Sequence, residues 1–428
     1  MADLRTTTLR RVVVTGMGFI TSLGNDKSSV LSSLREGKTG IRPFEEFDRP
    51  DSPVRLAGTI QGFHFPSPDV QTWTIPEGYD LSREQRKSMA PHSVYAYCAM
   101  QQAIKEANLP HDLVSNARTG AMCASAGSPW LMYTNLHEMQ SRGVMRCHPM
   151  GMVSCIPGTL NINLAALFQL KGSTLGFASA CSSSAHALGH GFDLIQSHKQ
   201  DIVFAVGAED CHVFTGLPFA ALRALSTQTD PALAPRAFDR DRDGFVFTGG
   251  STALVLEEFE HAKQRGARVI AEVLGWGESS DGYHVMAPDP AGEGLSRAME
   301  NALVAAHVTN RDIDYINAHA TSTVAGDVAE LRAIKRTFGS GKIPDVSSTK
   351  SLTGHGLCMA GALESAISCL AIENAFTPIS ANITHLDPAC EGIPVITKPV
   401  NHAPVTVMSN SSGFGGSNVA VIFGKPCG

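Results

Sequence analysis

Short runs rich in Val and Ile alternate along the chain with longer stretches whose apolar positions recur at helical spacing. "RRVVVTG", from Arg10, predicts a strand entering a glycine turn, and "SVYAYCAMQQAIKEANL", from Ser93, predicts a helix. Further strands are predicted at "TGAMCASAG" (119–127), "DIVFAVGAED" (201–210), "STALVLEEFE" (251–260) and "RVIAEVLGWG" (268–277). "DIDYINAHAT" (312–321), "VTVMSNSSG" (405–413) and "NVAVIFGK" (418–425) repeat the theme. Continuous apolar strands separated by helices predict an α/β layered architecture.

The pattern repeats. "AMQQAIKEANL" begins at Ala99 and "AMENALVAAHV" at Ala298, an offset of 298 − 99 = 199. The same offset carries Asn116, ahead of one predicted strand, onto Tyr315 at the start of another. A helix and the strand after it thus recur half a chain later, which predicts a duplicated fold. The expected halves are 1–262 and 263–428, sharing a core because no flexible linker separates them. Residues 45–79 are rich in Pro, Asp and Phe and predict an irregular surface excursion, and 225–244 predict a long functional loop.

Composition narrows the class. With 43% hydrophobic residues the chain of 428 can bury a large core, which excludes a disordered protein. A net charge of −6 supplies no global attraction for nucleic acid. Ten cysteines without a C-x-x-C pair predict reduced thiols. The apolar run after Arg11 is broken by Thr15, Gly16 and Gly18 and leads to no small-residue cleavage site, so a first strand and a cytoplasmic location are expected. No uninterrupted apolar stretch approaches the roughly 18 residues of a membrane span.

Candidate chemistry centres on "ASACSSSAH", Ala178 to His186. Small residues there give way to a helical pattern, placing Cys181 near a helix N-terminus. Such a position favours a thiolate with a pKa below about 8.5 and offers N–H groups to an oxyanion. Most cysteines are small core hydrophobes, the reading given to Cys98, Cys123, Cys155 and Cys369. For Cys181 both readings stand open on local grounds. His319 in "INAHATSTVAGD" follows a predicted strand, and Lys350 and His355 occupy the Gly-rich "TKSLTGHG", with Glu364 beyond. Histidines at such positions suit proton chemistry. His186 and His190 have helix spacing for a metal, but no third ligand accompanies them, so no metal is expected. "GMGFITSLG" is a weak dinucleotide match, because Thr21 stands where a third Gly belongs. "DRDRDGFVF" lacks the Glu that closes a calcium loop.

Eight ordered blocks, from "VVVTGMGFITSLG" through "SACSSSAH", "NAHATSTVAGD" and "KSLTGHGLCMAGALES" to "SNSSGFGGSNVAVIFG", resemble the β-ketoacyl-acyl-carrier-protein synthases. The elongating branch is most similar, and "TGG" after "DGFVF" is closer to its type I members than to type II. The resemblance implies a thiolase-like duplicated five-layer αβαβα fold that dimerises. It implies a decarboxylating condensation of malonyl-acyl-carrier protein with an acyl group held on Cys181. His319 and His355 would promote decarboxylation and hold the enolate, with Lys350 and Glu364 supporting them. Backbone N–H groups of Cys181 and Ser412 would form the oxyanion hole, and Thr321 and Thr323 would contact pantetheine. No cofactor is implied beyond the phosphopantetheine of the carrier protein. Priming synthases carry Asn where His355 stands, thiolases use a second cysteine, and chain-length factors lack the nucleophile.

The chain departs from the family pattern beside these residues. The family's N-S-F-G-F-G-G is "NSSGFGG", so Ser412 replaces a Phe that gates the acyl pocket, with Phe414 retained. Ala320 stands in place of Gly, and G-H-S-L-G-A-A-G becomes "GHGLCMAG", with Gly356, Cys358 and Met359 substituted. Ser412, Phe414, Ala320 and Met359 are therefore the expected acyl-pocket positions, and an altered acyl substrate of a fatty-acid or polyketide pathway is the hypothesis. A non-condensing chain-length or scaffold partner and a coenzyme A-dependent thiolase are the alternatives. Arg83, Arg86 and Lys87 are candidates for docking an acidic carrier protein.

Overall fold

The structure is a computed structural model that describes residues 9–339, 341–400 and 403–426. Its main sheet has ten strands. They are β1 (Val12–Ile20), β2 (Thr119–Ala124), β3 (Thr174–Phe177), β4 (Ile202–Glu209) and β5 (Gly250–Glu258), then β6 (Ala271–Ser280), β7 (Tyr315–Asn317), β8 (Asp345–Ser347), β9 (Thr406–Gly413) and β10 (Ser417–Gly424). Across the sheet the order is β8-β7-β9-β10-β6-β1-β5-β4-β2-β3. The first and last five strands have the same plan. β1 pairs antiparallel with β5 and β5 with β4, while β4–β2 and β2–β3 are parallel. β6 pairs antiparallel with β10 and β10 with β9, while β9–β7 and β7–β8 are parallel. A short antiparallel contact between Val12–Val14 and Ala271–Val273 joins the two units.

Among the described residues, eight helices have nine residues or more. They are α1 (Lys27–Glu36), α2 (Pro91–Glu106), α3 (Pro129–Arg142), α4 (Thr159–Leu167), α5 (Ser183–Gln196), α6 (Glu293–Ala305), α7 (Val324–Phe338) and α8 (Ala360–Asn374). α2 precedes β2 and α6 precedes β7, as the helix repeat predicts. Three apolar cores stack the layers. α5 and α8 lie between the two units, packed against residues of β1, β5, β9 and β10. α2 and α4 cover the outer face of the first unit, and α6 and α7 that of the second. The result is the five-layer αβαβα architecture.

Leu357–Asn374 is apolar enough by composition to cross a membrane, but 89% of it is buried, so it is a core helix. Gly16 and Gly18 lie within β1, not in a nucleotide loop. A Cβ on either would strike the α2 backbone, at Ala103 O and Ala99 O. These glycines let a helix press onto a strand. Cys98, Cys123, Cys155 and Cys369 are buried, in line with core packing.

Candidate active site

The serines around Cys181 build the turn that presents it. Between β3 and α5, Ala180 takes a left-handed φ of 51°. Ser183 N donates to Ala180 O at 3.1 Å, and Ser183 Oγ donates to the same carbonyl at 2.6 Å. Ser183 Oγ also accepts from Ser179 N at 2.9 Å, and Ser182 Oγ donates to Ser179 O at 2.8 Å. Ser184 Oγ accepts from Ala362 N at 2.9 Å, fastening α5 to the start of α8. His186 Nδ1 meets Ser179 Oγ at 2.9 Å, and its Nε2 lies 3.1 Å from Glu278. His190 stacks on Phe177 and meets Trp276 edge-on. Both histidines thus have structural partners.

Three elements from the second half converge on this turn. His355 Nε2 stands 3.0 Å from Cys181 Sγ. His355 is held by its backbone, with its N–H on Val246 O at 2.7 Å and its carbonyl accepting from Thr248 N at 3.1 Å. His319 follows β7, and its ring lies 5.4 Å from that of His355 at 85°. Its backbone is fixed by Glu330 on α7, which accepts from His319 N at 2.9 Å and Ala320 N at 2.7 Å. Asn410 Nδ2 donates to the same carboxylate at 3.1 Å. At Gly413 in β9 a Cβ would sit 3.2 Å from Cys181 N, so the strand passes directly over the nucleophile turn.

Behind the histidines, Lys350 Nζ and Glu364 Oε1 form a buried ion pair at 2.6 Å. Burial pushes the Glu364 carboxyl up to about 7, against the pull of the Lys350 ammonium. Burial, and then the Lys350 charge, hold the imidazoles of His319 and His355 well below their ordinary range, so both are neutral at pH 7. The thiol departs from the sequence expectation. Burial holds Cys181 up at about 12; Lys350 lowers it and Glu209 and Glu364 raise it. Desolvation and the two carboxylates thus oppose the thiolate that a helix N-terminus favours. Alkylation of Cys181 by iodoacetamide is expected to accelerate continuously as pH rises above 7. A plateau reached below pH 7 would show a depressed thiol instead.

Cys181, His319 and His355 line one cavity of about 350 Å³ with Thr321, Thr323, Ser412 and Phe414. Thr321 and Thr323 hydroxyls lie 3.1 Å apart on its wall. Phe219 and Phe245 form an apolar wall, and the Phe245 ring stands edge-on to His355 at 5.2 Å. Ser412 Oγ donates to Asn418 Oδ1 at 2.8 Å, and Asn418 Nδ2 donates to Asp281 at 2.7 Å, giving a polar strip on the other wall. Two expected pocket positions fall elsewhere. Ala320 is absent from this lining and borders a side cavity of about 50 Å³. Met359 lines neither cavity; it is fully buried in the central core, so its expected place in the acyl pocket is corrected. Arg83 and Lys87 border a separate surface cavity. Lys87 is paired with Glu84 at 2.6 Å and Arg86 donates to Trp73 O at 3.2 Å, which leaves Arg83 as the exposed cation of that turn.

Sequence reasoning missed Glu330 and Phe245. The only signal for Glu330 was a carboxylate on the apolar face of a helix, and nothing local tied it to His319.

A thiol and two neutral imidazoles meet at the junction of a duplicated αβαβα fold, an arrangement suited to acyl transfer of the condensing class. The beta-ketoacyl synthase N-terminal domain model matches residues 9–262 and its C-terminal counterpart matches 270–384. The chain belongs to the beta-ketoacyl synthase family. It is 42% identical to 3-oxoacyl-[acyl-carrier-protein] synthase 1 of Haemophilus influenzae, over 97% of this chain and 99% of that protein. It is 38% identical to the Escherichia coli K12 protein of the same name, with the same coverage. A beta-ketoacyl synthase crystal structure from Burkholderia phymatum superposes with a TM-score of 0.89 at 35% identity, covering 98% of this chain and all of that one. A type II polyketide ketosynthase solved with its acyl-carrier protein gives 0.85 at 27%, again over 98% and 100%.

Proposed function

We propose that the protein is a 3-oxoacyl-[acyl-carrier-protein] synthase that elongates acyl chains by decarboxylating condensation. The observation that carries this is the 3.0 Å contact between Cys181 Sγ and His355 Nε2, with His319 facing the same space. His355 Nε2 takes the thiol proton as the sulfur attacks an acyl thioester, and returns it to the departing pantetheine sulfur. The acyl group is then held on Cys181 while its oxygen faces the N–H groups of Cys181 and Ser412. Malonyl-carrier protein next loses carbon dioxide, and the neutral imidazoles donate to the enolate oxygen, His355 after exchanging its proton through solvent to the Nε2–H tautomer. The carbanion attacks the acyl carbonyl, and the Cys181 sulfur leaves as a thiolate that takes its proton from solvent water entering the open cavity. Burial, with help from the Lys350 charge, keeps both imidazoles uncharged. Glu364 balances the Lys350 charge.

Substrates would arrive on phosphopantetheine, past Thr321 and Thr323, and the protein needs no cofactor of its own. Residues 1–262 would supply the nucleophile and 263–428 the histidines. The chain would act in the cytoplasm as a homodimer. β3 is an open edge with Leu175 52% exposed, and α3 presents Tyr133, Leu136 and Met139 outward. Carrier-protein docking near Arg83 is the matching reading of that exposed cation.

The polar strip of Ser412, Asn418 and Asp281 favours an acyl group that differs from a plain saturated chain. Competing acyl-carrier substrates test both statements. Turnover to 3-oxoacyl-carrier protein, with saturated C4 to C14 chains disfavoured, is expected. Efficient turnover of free coenzyme A thioesters without carrier protein would contradict the carrier assignment, and ordinary use of the saturated chains would contradict the altered preference.

A further inference from the structure

Met359 links the nucleophile half to the histidine turn. Its Cα lies 2.9 Å from where a Cβ on Gly207, in β4, would sit. Its Cε lies 2.6 Å from where a Cβ on Gly356 would sit, next to His355. The side chain therefore spans from β4 to the underside of the catalytic turn, within a core where it is fully buried. That turn is unusual. Gly354 has φ 78° and Leu357 has φ 47°, and Met359 N closes it by donating to Gly356 O at 2.9 Å. A left-handed backbone is unfavourable for Leu357, so packing must hold it there.

The departures from G-H-S-L-G-A-A-G now fit together. The side chain expected at 356 is missing, and a long one has come in at 359 where Ala is expected. Met359 fills the volume that a residue at 356 would otherwise claim. We propose that Met359 and Gly356 act as one coupled unit, with Met359 a positioning residue that sets His355 against Cys181. It touches no substrate. It acts through the backbone of a turn whose displacement by a fraction of an ångström changes the Sγ–Nε2 contact. The proposal rests on the condensing reading for its kinetic readout but not for its chemical one.

The test compares Met359→Ala, Gly356→Ser and the double variant with the unaltered protein. Each single change is expected to lower kcat at least about five-fold with KM nearly constant, and to alter the pH profile of Cys181 alkylation by iodoacetamide. The double change is expected to return both readouts to within about two-fold of the starting protein. Effects that simply multiply in the double variant, or an alkylation profile unmoved by either single change, would overturn the coupling. Met359→Leu conserves volume but not reach. It keeps the test decisive if Gly356→Ser does not fold, since it should lower kcat and shift alkylation in a chain with unchanged thermal unfolding. An unaltered protein that condenses nothing would count against the condensing reading alone, because alkylation still reports the coupling.

Discussion

Cys181→Ala is expected to abolish 3-oxoacyl product, a fall of about a thousand-fold or more, while malonyl-carrier protein is still decarboxylated. The two halves of the prediction come from different residues. No other described cysteine lines the cavity with the histidines, so no thiol can replace Cys181 as acyl carrier. His319 and His355 are held by their own backbones and by Phe245 and Glu330, not by the sulfur. Removing the thiol leaves them able to stabilise an enolate. Product and carbon dioxide measured in the same reaction separate the two. Loss of both together would mean that Cys181 is needed to hold the site open or folded.

His319→Ala should do the reverse. Acylation of Cys181 should persist, because His355 supplies the 3.0 Å contact to the sulfur. Decarboxylation and condensation should fall by about a hundred- to a thousand-fold, the usual effect of losing one donor to a developing oxyanion. The neutral imidazoles also fix the pH response. Both histidines are held well below their ordinary range, so the acid limb of decarboxylation should lie below pH 6.5. A limb at or above that value would show that the imidazoles titrate normally.

The sequence carried the frame of this site further than its details. Eight of the ten strands were legible as apolar runs, because each lies in the interior of the sheet with neighbours on both sides. The two that escaped, β3 and β8, are the outermost strands of the two units, four and three residues long. β3 is half exposed and needs little apolar sequence, whereas β8 is buried but too short to show a period. The helix repeat was legible because duplicated topology puts α2 and α6 in equivalent layers. Cys181, His319 and His355 were legible through their motifs and the resemblance implied one site for them, but the means were not, since β9 and the Val246–Thr248 clamp that hold the site lie elsewhere in the chain. The opposing influences on the thiol were not legible for a physical reason. A helix N-terminus is visible in sequence, whereas desolvation and the nearby Glu209 and Glu364 depend on residues distant in the chain. Met359 was placed in the acyl pocket by its nearness to His355 in sequence, yet its side chain points into the core instead.

The central claim is that Cys181 carries the acyl group between two separate steps. Intact-mass and peptide mass spectrometry after incubation with acyl-carrier protein alone tests it most directly. One acyl adduct on the Cys181 peptide is expected, which disappears when malonyl-carrier protein is added as 3-oxoacyl-carrier protein forms. No adduct, or an adduct that stays on the protein while product accumulates, would contradict it.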